Sequence, residues 1–442
     1  MLYRYLLGFS FFAVLFSFGC TTTTPLSRKH QKQLDQLIAQ NKRFNQQFTG
    51  FALYDPSTQQ FLYQKDADKY FTPASNTKIF TLYTTLQLLG DSLPALQYQA
   101  QGDSLVFWGT GNPLLLNARF EGPDIALDFL RKQEKQLYYC PDNMEDPHFG
   151  AGWAWDDAPY AYQTAKAALP LYNNQVHLVH DTLTGKMRAE PPFFERFLQL
   201  DASLSPGRPQ TRRASVGNTI YYNQNADTNR VVDRYLPFDY SPALAASLLS
   251  DTLRRYVSIG CTAPTQRITL STPLPDTLLR RLMLPSDNFT AEQLLLMVAA
   301  KYLDTLSTDR AIAFAKMQLF ADSPDELVWR DGSGLSRYNL FTPRSMIYVL
   351  EKLYQSVPKE RLFSLFPTGG KTGTIRKWYG GTPPYVFAKT GTMSNKHCLS
   401  GYLIGKSGKV YLFSFMHNHY VGSSRPLKVE MERVLGELRL LF

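Results

Sequence analysis

Apolar and polar positions follow two periods along this chain, and each change of period marks a change of element. Phe48 to Tyr54 and Gln60 to Gln64 have the dense apolar and aromatic content of strands. Asp55-Pro56-Ser57-Thr58 between them has turn chemistry, so the stretch predicts a β-hairpin. Upstream, Gln31 to Arg43 reads as a helix. Downstream, Ile79, Leu82, Tyr83, Leu86 and Leu89 recur at intervals of three and four, with Pro73 shortly before and Gly90 at the end. That spacing predicts a buried helix. From about 95 to 270 short apolar runs alternate with Gly, Pro, Asn and Asp, as in Gly109-Thr110-Gly111-Asn112-Pro113, which predicts a strand-rich region with its own cores. Helical spacing returns near 285 with Ala291, Leu294, Leu295, Val298 and Tyr302. Strand patterning follows at Tyr385 to Ala388, Cys398 to Ile404 and Val410 to Met416, and an amphipathic helix over Pro426 to Leu441 closes the chain.

Hairpin and helix therefore come first, strands and helix last, with unlike material between. The economical reading is an α/β (α+β) fold. One discontinuous domain, residues 34–94 plus 271–442, has helices covering an antiparallel sheet built from both chain ends. It carries a large strand-rich insertion over 95–270. At 442 residues the chain is long enough for two or three domains.

The first residues do not belong to that pattern. Arg4 precedes an apolar run from Leu6 to Phe18 that is too short for a comfortable membrane span. Residues 1–19 read as an export signal. Ser17-Phe18-Gly19-Cys20 resembles a lipoprotein processing site, with Cys20 as the lipidated residue and 20–33 as the tether. An ordinary signal peptide cleaved nearby is the alternative. Either reading predicts an exported protein of the periplasmic cell envelope, and the first adds a membrane partner through a lipid anchor.

Composition changes the picture little. A 44% hydrophobic and 14% aromatic content excludes a disordered chain. The net charge of +10 is scattered, with pairs such as Arg212-Arg213 and Arg280-Arg281 but no basic stripe, which argues against nucleic-acid binding. With Cys20 set aside, Cys140, Cys261 and Cys398 are an odd number, and buried free thiols are expected rather than a disulfide.

Three short motifs carry candidate chemistry. In Ser75-Asn76-Thr77-Lys78 a hydroxyl and an amine three residues apart share one helix face. An amine held neutral can take the serine proton as attack begins. In Ser286-Asp287-Asn288, before a helix, a second hydroxyl can relay protons and an amide can hold a substrate amide. In Lys389-Thr390-Gly391-Thr392, after a strand-like run, the ammonium and hydroxyls can hold a carboxylate, and Gly391 would let substrate approach the backbone. Two duplicates compete. Ser356-Val357-Pro358-Lys359 has a Pro that disfavours a helical turn. Lys371-Thr372-Gly373 lies between Gly369-Gly370 and Gly380-Gly381, a loop composition.

Together the motifs resemble the S-x-x-K, S-D-N, K-T-G signature of penicillin-binding proteins and class A β-lactamases, in that order. The long stretch between Ser75 and Ser286 leaves no room for a compact β-lactamase. The chain instead resembles the low-molecular-mass, class C penicillin-binding proteins, the D-alanyl-D-alanine carboxypeptidase and endopeptidase family with inserted domains. Phe71-Thr72-Pro73-Ala74-Ser75, Gly152-Trp153-Ala154-Trp155-Asp156-Asp157, Asp331-Gly332-Ser333-Gly334-Leu335-Ser336-Arg337 and Gly373-Thr374-Ile375-Arg376 are similar to stretches of that family.

The resemblance implies acyl transfer from peptidoglycan stem peptides to water, without a cofactor or metal, and covalent inhibition by β-lactam antibiotics. Ser75 would be the nucleophile, Lys78 its base and Ser286 a proton relay. Lys389, Thr390 and Thr392 would hold the terminal carboxylate, Gly391 would admit substrate close to the strand, and Asn288 would hold the peptide amide. Backbone N–H groups of Ser75 and Thr392 would form the oxyanion hole. Either Asp156 or Asp157 would meet a side-chain amine of the stem peptide, the alternative being a Trp-anchored loop with solvated acids. Carboxypeptidase and endopeptidase action share one acyl-enzyme and stay unseparated. A β-lactamase and a non-catalytic wall-binding lipoprotein are the rival readings, the first without a Glu-x-x-Leu-Asn to supply its base. His417-Asn418-His419 is the only close His pair and has no acidic partner motif for a metal site.

Overall fold

The predicted hairpin, Phe48–Asp55 with Gln60–Lys65, pairs through its first strand with Val410–Asn418 from the far end of the chain. This computed structural model describes residues 27–442 apart from 182–185, 205–209, 224–232, 263–265 and 304; the export signal and Cys20 lie outside the described residues. The sheet has five antiparallel strands in the order Val386–Met393, Lys396–Ile404, Val410–Asn418, Phe48–Asp55, Gln60–Lys65. Its central strands read as nearly unbroken apolar runs because both faces are covered. Phe51, Leu53, Phe413 and Phe415 point into a core closed by the helix Arg425–Leu441. Their neighbours Ala52, Tyr54, Leu412 and Met416 point the other way, into a core shared with Lys78–Thr84, Asn288–Tyr302 and Pro343–Ser356. Three layers result, and the acid, amine and hydroxyl groups of interest lie where the second helical layer meets the sheet edge.

The first helix differs from its predicted span. It runs over Arg28–Leu34 and continues as a wider turn through Asp35–Ala39, stopping short of Arg43. Asn41 ends it. Its side-chain oxygen accepts from the backbone N–H of Arg43 and Phe44 and turns the chain aside.

Between residues 92 and 273 the described residues build three further sheets. The largest has the order Val257–Ile259, Gln136–Tyr139, Ser104–Trp108, Ser92–Gln101, Ile268–Pro273. The chain enters and leaves on neighbours, since Ser92–Gln101 and Ile268–Pro273 pair antiparallel. This region has its own apolar core, to which the helices Ile125–Arg131 and Pro242–Leu253 contribute.

The expectation of free thiols fails here. Cys140 and Cys261 form a disulfide across 121 residues of sequence. Each follows one of two adjacent parallel strands, paired Tyr139 with Ile259, so the fold brings the two sulfurs together. An odd count forbids complete pairing but permits one pair, and the leftover Cys398 is the buried free thiol. Among the described residues no helix is long and apolar enough to cross a membrane.

Candidate active site

Ser75 sits in a tight 3-10 turn, Ala74–Thr77, that opens the helix Lys78–Thr84. The turn is held from within by Asn76 N–H on the Pro73 carbonyl and by the Thr77 hydroxyl on the Ala74 carbonyl. Ala74 has a left-handed φ of 47°, a costly conformation for a residue with a Cβ and one that persists only when its surroundings enforce it. Two glycines enforce it. A Cβ on Gly391 would lie 2.2 Å from the Pro73 carbonyl oxygen, and one on Gly334 would lie 1.9 Å from that of Ala74. The expected use of Gly391, close approach of substrate, is thus joined by another: it lets the serine turn pack against the edge strand.

Lys78 is fully buried, and its Nζ donates to Ser75 Oγ at 3.0 Å, Asn288 Oδ1 at 2.6 Å and the Ser333 carbonyl at 2.6 Å. The one-turn spacing anticipated from sequence has become a hydrogen bond. Burial pulls the Lys78 pKa down to about 8, against the opposing charges of Asp331, Glu292 and Asp287. Asn288 is engaged at both ends, since its Nδ2 donates to the Tyr162 carbonyl at 2.8 Å.

In the second motif the middle residue is architectural. Asp287 caps the helix Asn288–Tyr302 by accepting from Thr290 N–H, and pairs with Arg281 at 2.9 Å. This frees its neighbours to face the cleft. Ser286 accepts a hydrogen bond from Lys389 Nζ at 2.7 Å.

Lys389 lies in the edge strand Val386–Met393, fully buried, and also donates to the Thr390 carbonyl. Burial, and then the charge of Lys78, hold its pKa well below that of an ordinary lysine. The Thr390 hydroxyl bonds that of Thr374 at 2.7 Å, and the Thr392 hydroxyl bonds His397 Nδ1 at 2.8 Å. His397 is buried, which pushes its pKa down to about 3 and leaves a neutral ring beside Thr392. The duplicates stand apart. Lys371 is exposed in a loop, and exposed Ser356 ends the helix Pro343–Ser356 with its hydroxyl on the Lys352 carbonyl.

The Trp153-Ala154-Trp155-Asp156-Asp157 loop reaches this cleft from the inserted region. Trp153 Nε1 donates to Asp331 at 2.9 Å, and Tyr162 supplies the carbonyl bonded by Asn288. Asp157 accepts from the Tyr162 hydroxyl at 2.7 Å, whereas Asp156 is exposed beside Trp155, itself 89% exposed.

Sequence reasoning left several groups without a role. His397 carried no local signal, and Thr374 stood in a family-like stretch without any chemistry attached. Asp331 and Ser333 stood in a quoted motif without any chemistry attached. Glu292 did have a signal: it is the one charged residue in the mostly apolar run Phe289 to Ala300, and such residues are seldom buried without a partner.

Comparison with known proteins agrees with this arrangement. Residues 30–195 and 263–436 match the D-Ala-D-Ala carboxypeptidase 3 (S13) family. A D-alanyl-D-alanine carboxypeptidase of Actinomadura sp. strain R39 is 26% identical over 86% of this chain and 79% of its own length. The carboxypeptidase DacB of Haemophilus influenzae is 25% identical over 87% of this chain and 90% of its own. Among solved structures, penicillin binding protein 4 of Haemophilus influenzae superposes with a TM-score of 0.70 at 22% identity, covering 92% of this chain and 99% of that one. The same protein complexed with a β-lactam gives a TM-score of 0.64. With both matched segments carrying the motifs just described, the chain belongs to the S13 family of D-Ala-D-Ala carboxypeptidases.

Proposed function

We propose that this protein is a serine D-alanyl-D-alanine carboxypeptidase that cleaves peptidoglycan stem peptides through an acyl-enzyme on Ser75. The observation that carries the reading is the buried Lys78 amine, bonded to both Ser75 and Asn288 and lowered to about 8. At neutral pH a fraction of such an amine is unprotonated, as a general base requires. Lys78 takes the Ser75 proton while Oγ bonds to the carbonyl carbon of the penultimate D-Ala. The oxyanion is met by the backbone N–H groups of Ser75 and Thr392. Collapse breaks the C–N bond, and Ser286 passes a proton from the lysine side to the departing D-Ala amine. Water then attacks the ester with Lys78 again accepting the proton, and Lys78 returns that proton to Ser75 Oγ as the C–O bond breaks and the acid leaves.

Lys389, Thr390 and Thr392 receive the terminal carboxylate. A buried lysine pushed toward neutrality regains its proton when an anion arrives, so binding and ionisation reinforce each other. Asn288 turns its amide to the peptide once substrate displaces the Tyr162 carbonyl. Asp156 is the acid for a side-chain amine, because Asp157 is already engaged by Tyr162. Penicillins acylate Ser75 by the same attack, and the β-lactam complex of a structural relative supports that expectation.

Residues 34–94 plus 271–442 form the acyl-transfer domain and 95–270 the insertion. The sheet built from both chain ends, and the paired strands where the chain leaves and returns, support this division. The protein is exported to the periplasmic envelope and held to a membrane by lipid on Cys20. The Leu6 to Phe18 run and the residues before Cys20 support this part.

The test is Ser75→Ala. Fluorescent-penicillin labelling and release of D-Ala from wall peptides should both vanish, with the melting temperature kept near that of the parent. Labelling that survives, or that disappears only with Ser356→Ala, would overturn the assignment.

A further inference from the structure

Near Lys78 two carboxylates are buried to which the acyl-transfer steps give no role. Glu292 is 1% exposed and Asp331 2%. Both meet Lys78 through the backbone. Glu292 accepts the N–H of Gly332 at 3.2 Å and of Ser333 at 2.7 Å. Asp331 accepts the N–H of Gly334 at 2.8 Å. That N–H belongs to the same peptide unit as the Ser333 carbonyl, which takes Lys78 Nζ. The preceding unit is held alike, with its N–H on Glu292 and its Gly332 carbonyl accepting from Thr81, one turn beyond Lys78. Two peptide dipoles thus stand in line between two buried carboxylates and the lysine helix.

We propose that Glu292 is a positioning residue for the reaction: it anchors Ser333 through its backbone N–H, beside the carbonyl that takes Lys78, and by its charge sets how readily that lysine gives up its proton. The inference rests on Lys78 being the base. The charged groups around the pair come from every packed element. Asp331 and Lys166 act on Glu292; Asp331, Glu292 and Asp287 act on Lys78; Lys389 faces Lys78 from the edge strand; and Lys166 is itself paired with Asp146. Burial and the proximity of Asp331 push the Glu292 carboxyl up to about 7, against Lys166 and the two N–H donors. Ionised Glu292 faces Lys78 as one of the opposing charges that raise its pKa against burial. The negative charge then favours the ammonium and holds the Lys78 midpoint up. Removing the charge should let Lys78 deprotonate at lower pH.

The experiment is the second-order rate of acylation by a fluorescent penicillin between about pH 5.5 and 9.5. In Glu292→Gln the midpoint of the rising limb should fall by about one pH unit. In Glu292→Asp, which keeps the charge, it should stay with the parent even if the rate drops. A Gln midpoint at or above the parent's, or an Asp midpoint displaced as far as the Gln one, would defeat the proposal. If Glu292→Gln does not fold, pH-difference infrared spectra of the parent decide. Buried carboxylates that are ionised while Lys78 titrates support the proposal, and a carboxyl of Glu292 still protonated there overturns it. Lys78→Ala separates the two levels. Normal acylation in that variant removes the base assignment, whereas lost acylation together with an unmoved Gln midpoint removes only the role of Glu292.

Discussion

Two lysines face one serine site, and burial drives both toward neutrality by excluding the water that would solvate their charge. Their mutual repulsion makes a division of labour economical, one amine acting as base while the other waits for an anion. Lys389 is the anion site on this reading, because its strand is at the sheet edge and its Nζ shares Ser286 with the cleft. Lys389→Ala should raise the transition-state barrier for D-Ala-D-Ala substrates by about 1.5–3 kcal/mol, the usual cost of a charge-assisted contact. Exposed Lys371 has no such setting, so Lys371→Ala should change kcat/KM little. Comparable losses in the two variants, read from D-Ala release, would refute the choice. At this scale Ser75, Lys78, Ser286 and Lys389 were legible because each belongs to a short motif with its own spacing. His397 was not, since a lone His acquires meaning only when folding sets it against Thr392, and the stretch holding Thr374 gave no hint of its bond to Thr390.

At the scale of elements, the central strands of the main sheet could be read closely because they are covered on both faces and so are largely apolar. The end of the first helix could not, because it depends on where the Asn41 side chain points. The disulfide was invisible for a stronger reason. Cys140 and Cys261 meet only because the strands Gln136–Tyr139 and Val257–Ile259 lie side by side, a pairing no local pattern encodes. The bond closes a long loop, and such a constraint removes conformations from the unfolded chain. Replacing both cysteines by serine should lower unfolding stability by roughly 2–4 kcal/mol. Penicillin acylation should be spared at 25 °C, since the bond belongs to the inserted sheet and not to the serine turn. An unchanged denaturation midpoint in urea would show that the bond contributes nothing, and lost acylation in a folded variant would show that it supports the site.

For the whole molecule the question is what the inserted region does for a reaction whose motifs lie elsewhere. If it only decorated the fold, nothing would tie its loops to the cleft. Instead Trp153 is fastened to Asp331, whose neighbour Ser333 holds Lys78, and the Tyr162 carbonyl is fastened to Asn288. Between those two anchors the chain presents Trp155, Asp156 and Asp157. Asp157 is drawn back onto the Tyr162 hydroxyl, which leaves Asp156 beside an exposed indole, a pairing of acid and aromatic surface suited to an ammonium group. The insertion would then act as the selector for a reaction carried out by the two chain ends. Asp156→Ala should weaken hydrolysis of amine-bearing stem peptides by about tenfold, roughly 1.4 kcal/mol, with most of the change in KM. Acylation by a simple penicillin, which brings no amine, should stay near the parent rate. Asp157→Ala should have the smaller effect on peptide turnover, because its loss frees Tyr162 without removing the exposed acid. Equal loss of peptide and penicillin reactions in Asp156→Ala would mean that the loop only supports Asn288, and a larger peptide defect in Asp157→Ala would move the selecting acid to that residue.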